Sequence, residues 1–153
     1  MMRTRQGKRK TDSIPHSIHP STKNMKKIIS SPHEAVKAAK RLVKDNYKEH
    51  AIGLYLDSRN GLIKSEIIGI GTLNACLIHP REVFSTAIRR RCATMIFMHN
   101  HPSGDVEPSE DDKETTKRLR HAGIILGINL TDSIIFEKGG KWYSLRDKDI
   151  DWN

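Results

Sequence analysis

A short apolar run that ends in two histidines constrains the fold of this chain more than any other feature. Residues 93–98 form a run typical of a buried strand, and His99 and His101 follow it two positions apart. Because residues i and i+2 of a strand point to the same face, both imidazoles can aim at one point. A loop containing proline and glycine then leads to Ser109-x-x-Asp112, which predicts a helix that Ser109 caps. The sequence therefore predicts that two histidines and a carboxylate converge at a strand end.

This set of residues predicts a metal site. Two imidazoles and one carboxylate, with a fourth position open to water, form the ligand set of catalytic zinc sites, although Mn²⁺ and Fe²⁺ accept the same donors. Zinc lowers the pKa of a bound water to about 7, and a base must then take up the proton. Spacing alone does not choose that base among six acidic residues: Glu49, Glu66, Glu82, Glu107, Glu110 and Asp111.

The positive charge of the chain is concentrated at its beginning. The formal net charge is +9 over 153 residues, but residues 1–28 hold eight lysines or arginines against one acid. A segment this polar cannot bury enough apolar surface to offset its ordering entropy, so we predict a disordered leader. The leader either contacts nucleic acid non-specifically through its phosphates or is only a solvated extension. The rest of the chain predicts one domain at 29–148 and a short tail at 149–153.

The cysteines and the absence of long apolar runs indicate the compartment. Cys76 and Cys92 lie in apolar surroundings and form no C-x-x-C pair, which favours buried, reduced thiols. No run is long enough to span a membrane, and no secretory signal is evident near the beginning. We therefore expect a cytoplasmic protein with no membrane association.

Hydrophobic periodicity predicts a mixed sheet flanked by helices. Ser31-Pro32 predicts a helix start, and Asn60-Gly61 predicts a tight hairpin between two strands. Gly123 is the predicted C′ residue of the helix that Ser109 caps. The predicted helices cover residues 32–46, 80–91 and 111–122, and the predicted strands cover 50–57, 62–70, 74–78, 93–98, 124–130, 133–137 and 141–145. This order of elements indicates a single α/β domain.

The spacing of the histidines, the serine and the aspartate resembles a known metalloprotease motif. His99-x-His101-Pro102, followed after six residues by Ser109-x-x-Asp112, is similar to the JAMM (MPN+) motif. The longer string His-Asn-His-Pro-Ser-Gly-Asp at 99–105 resembles the RadC branch of that superfamily. So do Leu-Asp at 56–57, Gly-Thr-Leu-Asn at 71–74, His-Pro-Arg-Glu-Val-Phe at 79–84, Pro-Ser at 108–109 and Leu-Gly-Ile at 126–128. The resemblance covers about residues 31–145.

The resemblance implies both a fold and a reaction. The fold is JAB/MPN-like (cytidine deaminase-like), with one Zn²⁺ per chain bound by His99, His101 and Asp112. The glutamate just before the first core strand, Glu49, is implied to be the general base. Ser109 is implied to hydrogen-bond a tetrahedral intermediate, whereas the residues themselves equally predict a plain helix cap. The implied reaction is hydrolysis of a peptide or isopeptide amide by a metal-activated water.

Two departures from the RadC pattern bear on this function. The family usually has Asp-His after the third helix, where this chain has Asp132-Ser133, and this weakens the expectation of full activity. Longer RadC proteins carry an N-terminal helix-hairpin-helix region associated with DNA binding, and here the basic leader stands in its place. A DNA role therefore cannot be carried over from that region. The link of RadC proteins to DNA repair, together with the basic leader, still makes a DNA-associated (DNA repair-related) module without proteolytic activity the main alternative. A degenerate, structural JAB domain is the next.

Other metal-dependent reactions fit the residues less well. The letters His99-Asn100-His101 match the name of the HNH nucleases only by accident, because that motif spaces its residues far apart. A nucleobase deaminase would need H-x-E together with P-C-x-x-C, and this chain has no such cysteine pair. A zinc-dependent amide hydrolase is therefore the predicted function.

Overall fold

The computed structural model of the chain describes residues 25–71, 78–148 and Trp152. This part of the chain forms four helices and five strands. In chain order they are α1 (Pro32–Lys40), β1 (Glu49–Leu56), β2 (Leu62–Gly71), α2 (Pro80–Arg89), β3 (Thr94–Asn100), α3 (Glu110–Leu126), β4 (Asn129–Phe136), β5 (Trp142–Ser144) and α4 (Leu145–Lys148). Within these ranges no helix has the length and apolar character that crossing a membrane requires.

The five strands form one mixed sheet in the order β2-β1-β3-β4-β5. β1 runs antiparallel to both β2 and β3, and β5 runs antiparallel to β4 at the edge. β3 and β4 are parallel, and α3 makes the crossover between them. The predicted single α/β domain is confirmed. β3 lies at the centre of the sheet, so its end has neighbours on both sides.

Helices cover both faces of the sheet, and each face holds its own apolar core. On one face the buried side chains include Ala35, Val36 and Ala39 from α1 and Ile52, Leu54, Met98 and Phe136 from the strands. On the other face they include Val83, Phe84 and Leu119 from α2 and α3 and Tyr55, Met95 and Phe97 from the strands. Because both faces are covered, β3 is buried along almost its whole length and reads as a continuous apolar run.

The predicted hairpin between β1 and β2 is confirmed. Asn60 has a left-handed backbone with a φ of 61°, which asparagine tolerates better than most residues. The Asp57 carboxylate accepts hydrogen bonds from two backbone N–H groups of this turn, at 2.9 and 2.8 Å. Ile28 forms a β-bridge with Gly61, so the end of the predicted leader contacts the hairpin. Residues 1–24 of the leader lie outside the described residues.

The end of α3 differs from the prediction. The helix continues to Leu126, and Gly127 rather than Gly123 caps it, in a left-handed conformation with a φ of 71°. The segment predicted to open the next strand is therefore helical, and β4 begins at Asn129. Gly123 is buried inside the helix, where a Cβ atom would lie 2.4 Å from the carbonyl oxygen of Ile128. Glycine is needed at this position for close packing and not for a turn.

Two further predictions concern the end of α1 and a short additional strand. α1 ends at Lys40, earlier than predicted. Leu42 and Val43 still pack against the core, but they do so from the connection that follows the helix. The predicted strand at 74–78 lies almost entirely outside the described residues.

The close approach at Gly123 can be tested by replacing it with alanine. The added Cβ would collide with the Ile128 carbonyl, and overpacking of this kind costs about 1–3 kcal/mol. The gain in helix propensity returns only about 0.5–1 kcal/mol. We therefore expect Gly123→Ala to lower the free energy of unfolding by roughly 1–2 kcal/mol, measured by urea denaturation. Lys117→Ala, at an exposed position of the same helix, should change it by less than about 0.5 kcal/mol. An unchanged or higher stability of Gly123→Ala would contradict the prediction.

Candidate metal centre

The two histidines lie where β3 ends, and strand geometry continues through both. The ladder pairs His99 with Ile135 and Asn100 with Phe136. One residue further on, the His101 N–H still donates to the Phe136 carbonyl at 2.9 Å. Alternation along the strand therefore directs both imidazoles to the face that carries α3, as the H-x-H spacing predicts.

The ligand atoms of three residues converge at distances that suit a bound zinc ion. The Nε2 atoms of His99 and His101 lie 3.1 Å apart. One Asp112 carboxylate oxygen lies 3.2 Å from the His99 Nε2, and the other lies 3.3 Å from the His101 Nε2. Tetrahedral bonds of about 2.0–2.1 Å would place neighbouring ligand atoms roughly 3.3–3.4 Å apart. The spacing of the two nitrogens is close to this value, and each nitrogen has one Asp112 oxygen at a similar distance, so the donor set suits zinc.

Asp112 is held in place by the start of α3. The Asp112 N–H donates to the Ser109 Oγ at 3.1 Å, and the Ser109 N–H donates to the Asp112 Oδ2 at 2.9 Å. This reciprocal pair is the capping box that the Ser-x-x-Asp spacing predicts. The Ser109 hydroxyl accepts a hydrogen bond here but keeps its own proton available as a donor toward the cleft. The cap and a contact with a reacting group are therefore compatible.

Glu49, the first residue of β1, is the fourth member of the cluster. Its Oε1 atom lies 3.8 Å from the His99 Nε2, and its side chain is 16% exposed. One ligand atom from each of Glu49, His99, His101 and Asp112 lies within 4.8 Å of the others. Glu49 stands farther from the histidines than Asp112 does, which suits a base beside the ligands.

The other five acidic residues considered as the base do not belong to this cluster. Glu66 is hydrogen-bonded to Thr86 and paired with Lys64. Glu82 is exposed on α2, and Glu110 is paired with Lys113. Glu107 and Asp111 line the cleft but are exposed, and neither belongs to the converging group.

The electrostatics of the cluster hold Asp112 ionised and disfavour the charged form of Glu49. Burial alone would raise the pKa of Asp112, but hydrogen bonds from His101 and His99 outweigh it and hold that pKa well below its usual range. The hydrogen bond with Asp112 raises the pKa of His101. Burial raises the pKa of Glu49, and the nearby histidines offset this only in part. A carboxylate with a raised pKa is a stronger base.

The Nδ1 atoms of the two histidines differ in their hydrogen bonding. The Nδ1 of His101 lies 2.7 Å from the Asp105 carbonyl, which can only accept, so Nδ1 carries the proton and Nε2 is free to bind a cation. The Nδ1 of His99 is buried without a hydrogen-bond partner among the described residues. His101 therefore has the outer hydrogen bond that orients a metal-binding imidazole, and among these residues His99 does not.

A cleft of about 560 Å³ opens onto the cluster. Ala51, Ile78 and Phe97 supply apolar lining, while Asp105, Glu107, Asp111 and Glu114 supply carboxylates and Arg118 a single guanidinium. This volume lies within the range of small-molecule and peptide side-chain sites. The cluster is therefore accessible from this cleft.

Asn100 is a residue of the site that the sequence analysis did not single out. It lies between the two histidines, is buried, and forms side-chain hydrogen bonds to backbone atoms of residues 48 and 50. A polar side chain at the end of a buried strand needs hydrogen-bond partners. This need was the signal in the sequence that could have indicated a structural role for Asn100. Its partners are fifty positions away in the chain, so local patterns do not reveal them.

The departure at Asp132-Ser133 lies beside the centre but not in it. Ser133 is buried and accepts a hydrogen bond from the Thr116 hydroxyl at 3.0 Å. Thr116 lies on α3, one helical turn after Asp112. Asp132 accepts hydrogen bonds from the Ser144 hydroxyl at 2.7 Å and from two backbone N–H groups. Neither residue belongs to the converging group of ligand atoms.

The fold and the site together define a class of protein. A helix-flanked mixed sheet carries two histidines at the end of its central strand and a carboxylate at the start of the next helix, which is a JAB/MPN-like arrangement with a cluster that could hold a metal ion. Residues 29–150 match the family described as the RadC-like JAB domain. The chain belongs to this family, as its motifs predict.

Curated relatives support this assignment. The chain is 46% identical over 122 residues to a UPF0758 protein of Shouchella clausii, covering 80% of this chain and 53% of that protein. It is 41% identical over 133 residues to a UPF0758 protein of Chlorobium chlorochromatii, covering 87% and 59%. For a UPF0758 protein of Methanosarcina mazei the identity is 42% over 123 residues, covering 80% and 53%. The chain thus spans between half and three fifths of the length of these relatives, whose names state no reaction.

Metal binding can be tested at Asp112 with its neighbour as a control. Asp112→Asn keeps an oxygen for the helix cap but removes the charge that faces both histidines. Loss of a residue that only hydrogen-bonds to a metal ligand lowers metal affinity roughly 10–100-fold. Asp112 is itself a predicted ligand, so we expect zinc affinity to fall by at least this much. Zinc content after dialysis, measured by mass spectrometry, should be about one ion per chain in the native protein and in Asp111→Asn, and far less in Asp112→Asn. Equal zinc content in both variants would contradict the assignment.

The buried carboxylate of Asp132 predicts a specific pH dependence. Burial raises the pKa of Asp132, although hydrogen bonds from Ser144 and the Arg146 N–H work against it. Because the folded state holds this proton more tightly than the unfolded state, the group's contribution to stability falls as pH rises from about 4 through the raised pKa. Asp132→Asn removes this dependence and can keep the same hydrogen-bond partners. Its free energy of unfolding, relative to the native protein, should increase from pH 4 upward and then level off. A difference that stays constant with pH would refute the prediction.

Proposed function

We propose that this protein is a zinc-dependent hydrolase of the JAMM type that cleaves a peptide or isopeptide amide. The observation that carries the proposal is the position of Glu49, beside the converging donor atoms of His99, His101 and Asp112 and open to a cleft. Three protein ligands with an accessible fourth position are typical of catalytic rather than structural zinc sites. Membership of the RadC-like JAB domain family supports the same reading.

Each residue of the cluster has a separate role in such a reaction. His99, His101 and Asp112 would hold one Zn²⁺, which when bound supplies Lewis-acid chemistry toward a water and an amide carbonyl. Glu49 takes up the proton of the attacking water and passes it to the leaving amine. The Ser109 hydroxyl lines the same cleft, so it can donate a hydrogen bond to the oxygen on which negative charge develops.

Glu49 could instead be a fourth ligand, and this would make the site structural. Its 3.8 Å distance from the His99 Nε2 is longer than the 3.1 to 3.3 Å spacings among the other three residues, which favours the role of base. Burial raises the pKa of its carboxyl, as expected for a group that must accept a proton near neutral pH. The two roles predict opposite effects on zinc binding.

A nucleic-acid contact, the alternative suggested by the basic leader, would not use this cleft. Four carboxylates and one guanidinium line it beyond the cluster itself, and phosphates are repelled by such a surface. A DNA-associated role would therefore use a surface outside this cleft, and the basic residues 1–28 are the candidate. The lining of the cleft therefore disfavours a nucleic-acid substrate.

Replacing Glu49 with glutamine tests the proposed function. We expect Glu49→Gln to retain one zinc per chain and to hydrolyse amides about 10²–10⁴-fold more slowly, because a general base contributes that much. The assay uses a pool of internally quenched peptides and ε-linked lysine isopeptides with the zinc-loaded full chain. Removal of zinc by a chelator should abolish turnover, and added zinc should restore it. Glu82→Gln, at an exposed position on α2, is the matched control and should keep native activity.

Three results would contradict parts of the proposal. Full activity of Glu49→Gln would show that another group is the base. Loss of zinc from Glu49→Gln would make Glu49 a ligand. A zinc-loaded native protein that cleaves neither class of substrate would overturn the hydrolase assignment itself.

A further inference from the structure

We propose that Asn100 is a positioning residue for Glu49: its buried side-chain amide clamps the backbone on both sides of that glutamate. The inference rests on the proposed role of Glu49 as the base. Asn100 lies on β3 between the two histidine ligands, but alternation along the strand turns its side chain away from theirs. The same strand would thus present the ligands from one face and hold the base from the other.

The clamp consists of two hydrogen bonds that flank Glu49. The Asn100 Oδ1 accepts from the His50 N–H at 2.7 Å. The Asn100 Nδ2 donates to the Lys48 carbonyl at 2.9 Å. Asn100 is 3% exposed, so water does not compete for these bonds. An amide is suited to this task because it offers one acceptor and one donor in a fixed plane.

A second side chain reinforces the same backbone. The Nδ1 of His50 lies 2.9 Å from the Lys48 carbonyl, and His50 is buried. A carbonyl oxygen can only accept, so this nitrogen carries the proton. The Lys48 carbonyl therefore receives two hydrogen bonds, one from each side chain, and the peptide bond that leads into Glu49 is fixed.

The two Asn100 hydrogen bonds lie just beyond the end of the backbone pairing between β1 and β3. The ladder between β1 and β3 ends at the pair Ala51 and His99. Beyond it, the Asn100 side chain makes the contacts that a further backbone pair would otherwise make toward residues 48 and 50. Without it, the start of β1 keeps only its pairing with β2, where Glu49 lies opposite Gly71. The distance from Glu49 to the histidines would then no longer be set from the β3 side.

Accurate placement of a base has large kinetic effects. A shift of about 1 Å in a reacting group can cost roughly 10²-fold in rate. Asn100→Ala should therefore lower kcat by about 10–100-fold, with zinc content retained and KM little changed. Asn100→Asp keeps the acceptor for the His50 N–H but loses the donor to the Lys48 carbonyl, and it should change kcat in the same direction. This second variant covers the case in which Asn100→Ala folds poorly.

The test separates positioning from simple stability. Ser144→Ala is the matched control, because it also removes a buried side-chain hydrogen bond but lies away from Glu49, on β5. It should keep near-native kcat at a comparable loss of stability. When Asn100→Ala is added to Glu49→Gln, kcat should fall by less than about twofold further. Residues that act through one another have non-additive effects. A merely structural role would produce the same loss in both backgrounds.

Hydrogen exchange on the zinc-loaded full chain provides a readout without turnover. The His50 amide should exchange roughly tenfold faster in Asn100→Ala than in the native protein or in Ser144→Ala, because it loses its acceptor. Unchanged exchange at His50, loss of zinc from Asn100→Ala, or an equal loss of kcat in the Glu49→Gln background would each overturn the proposal. If the native protein hydrolyses nothing, the proposed function fails alone, and hydrogen exchange still decides whether Asn100 holds the backbone.

Discussion

The hydrogen bond from the His101 N–H to the Phe136 carbonyl is the contact on which the candidate metal centre depends. It carries the parallel pairing of β3 and β4 one residue beyond the end of β3. Because strand geometry persists, His99 and His101 stay on one face, with their Nε2 atoms 3.1 Å apart. The central position of β3 then matters, since its end meets β1 on one side and β4 on the other. A histidine pair on an edge strand would lack one of these neighbours.

The end of β3 assembles the site from both of its faces. On one face, the imidazoles meet Asp112 and stand near Glu49. On the other, Asn100 reaches the backbone of residues 48–50. A seven-residue strand thus connects the ligands, the cap of the following helix and the start of β1. Its apolar residues, buried between the two cores, provide the rigid support that such an arrangement needs.

Local patterns predicted those parts of the structure that depend on neighbouring residues. The H-x-H and Ser-x-x-Asp spacings are of this kind, because strand alternation and helix capping act over a few positions. Glu49 lies fifty positions before His99, and only the family resemblance indicated it. The role of Asn100 was missed for the same reason, since strand pairing across such a distance has no local signature. Gly123 was misread as a helix end because its need for glycine comes from tertiary contact with Ile128.

The double use of Asp112 has a consequence for the behaviour of the cleft. Its Oδ2 atom accepts the Ser109 N–H at 2.9 Å and lies 3.3 Å from the His101 Nε2. The first turn of α3 and a bound cation would therefore share one carboxylate, and each would stabilise the other by the same free energy. The loop at 102–109, which connects the second histidine to this turn, is tied to both. Binding of an ion and the stability of this first turn of α3 are therefore thermodynamically coupled.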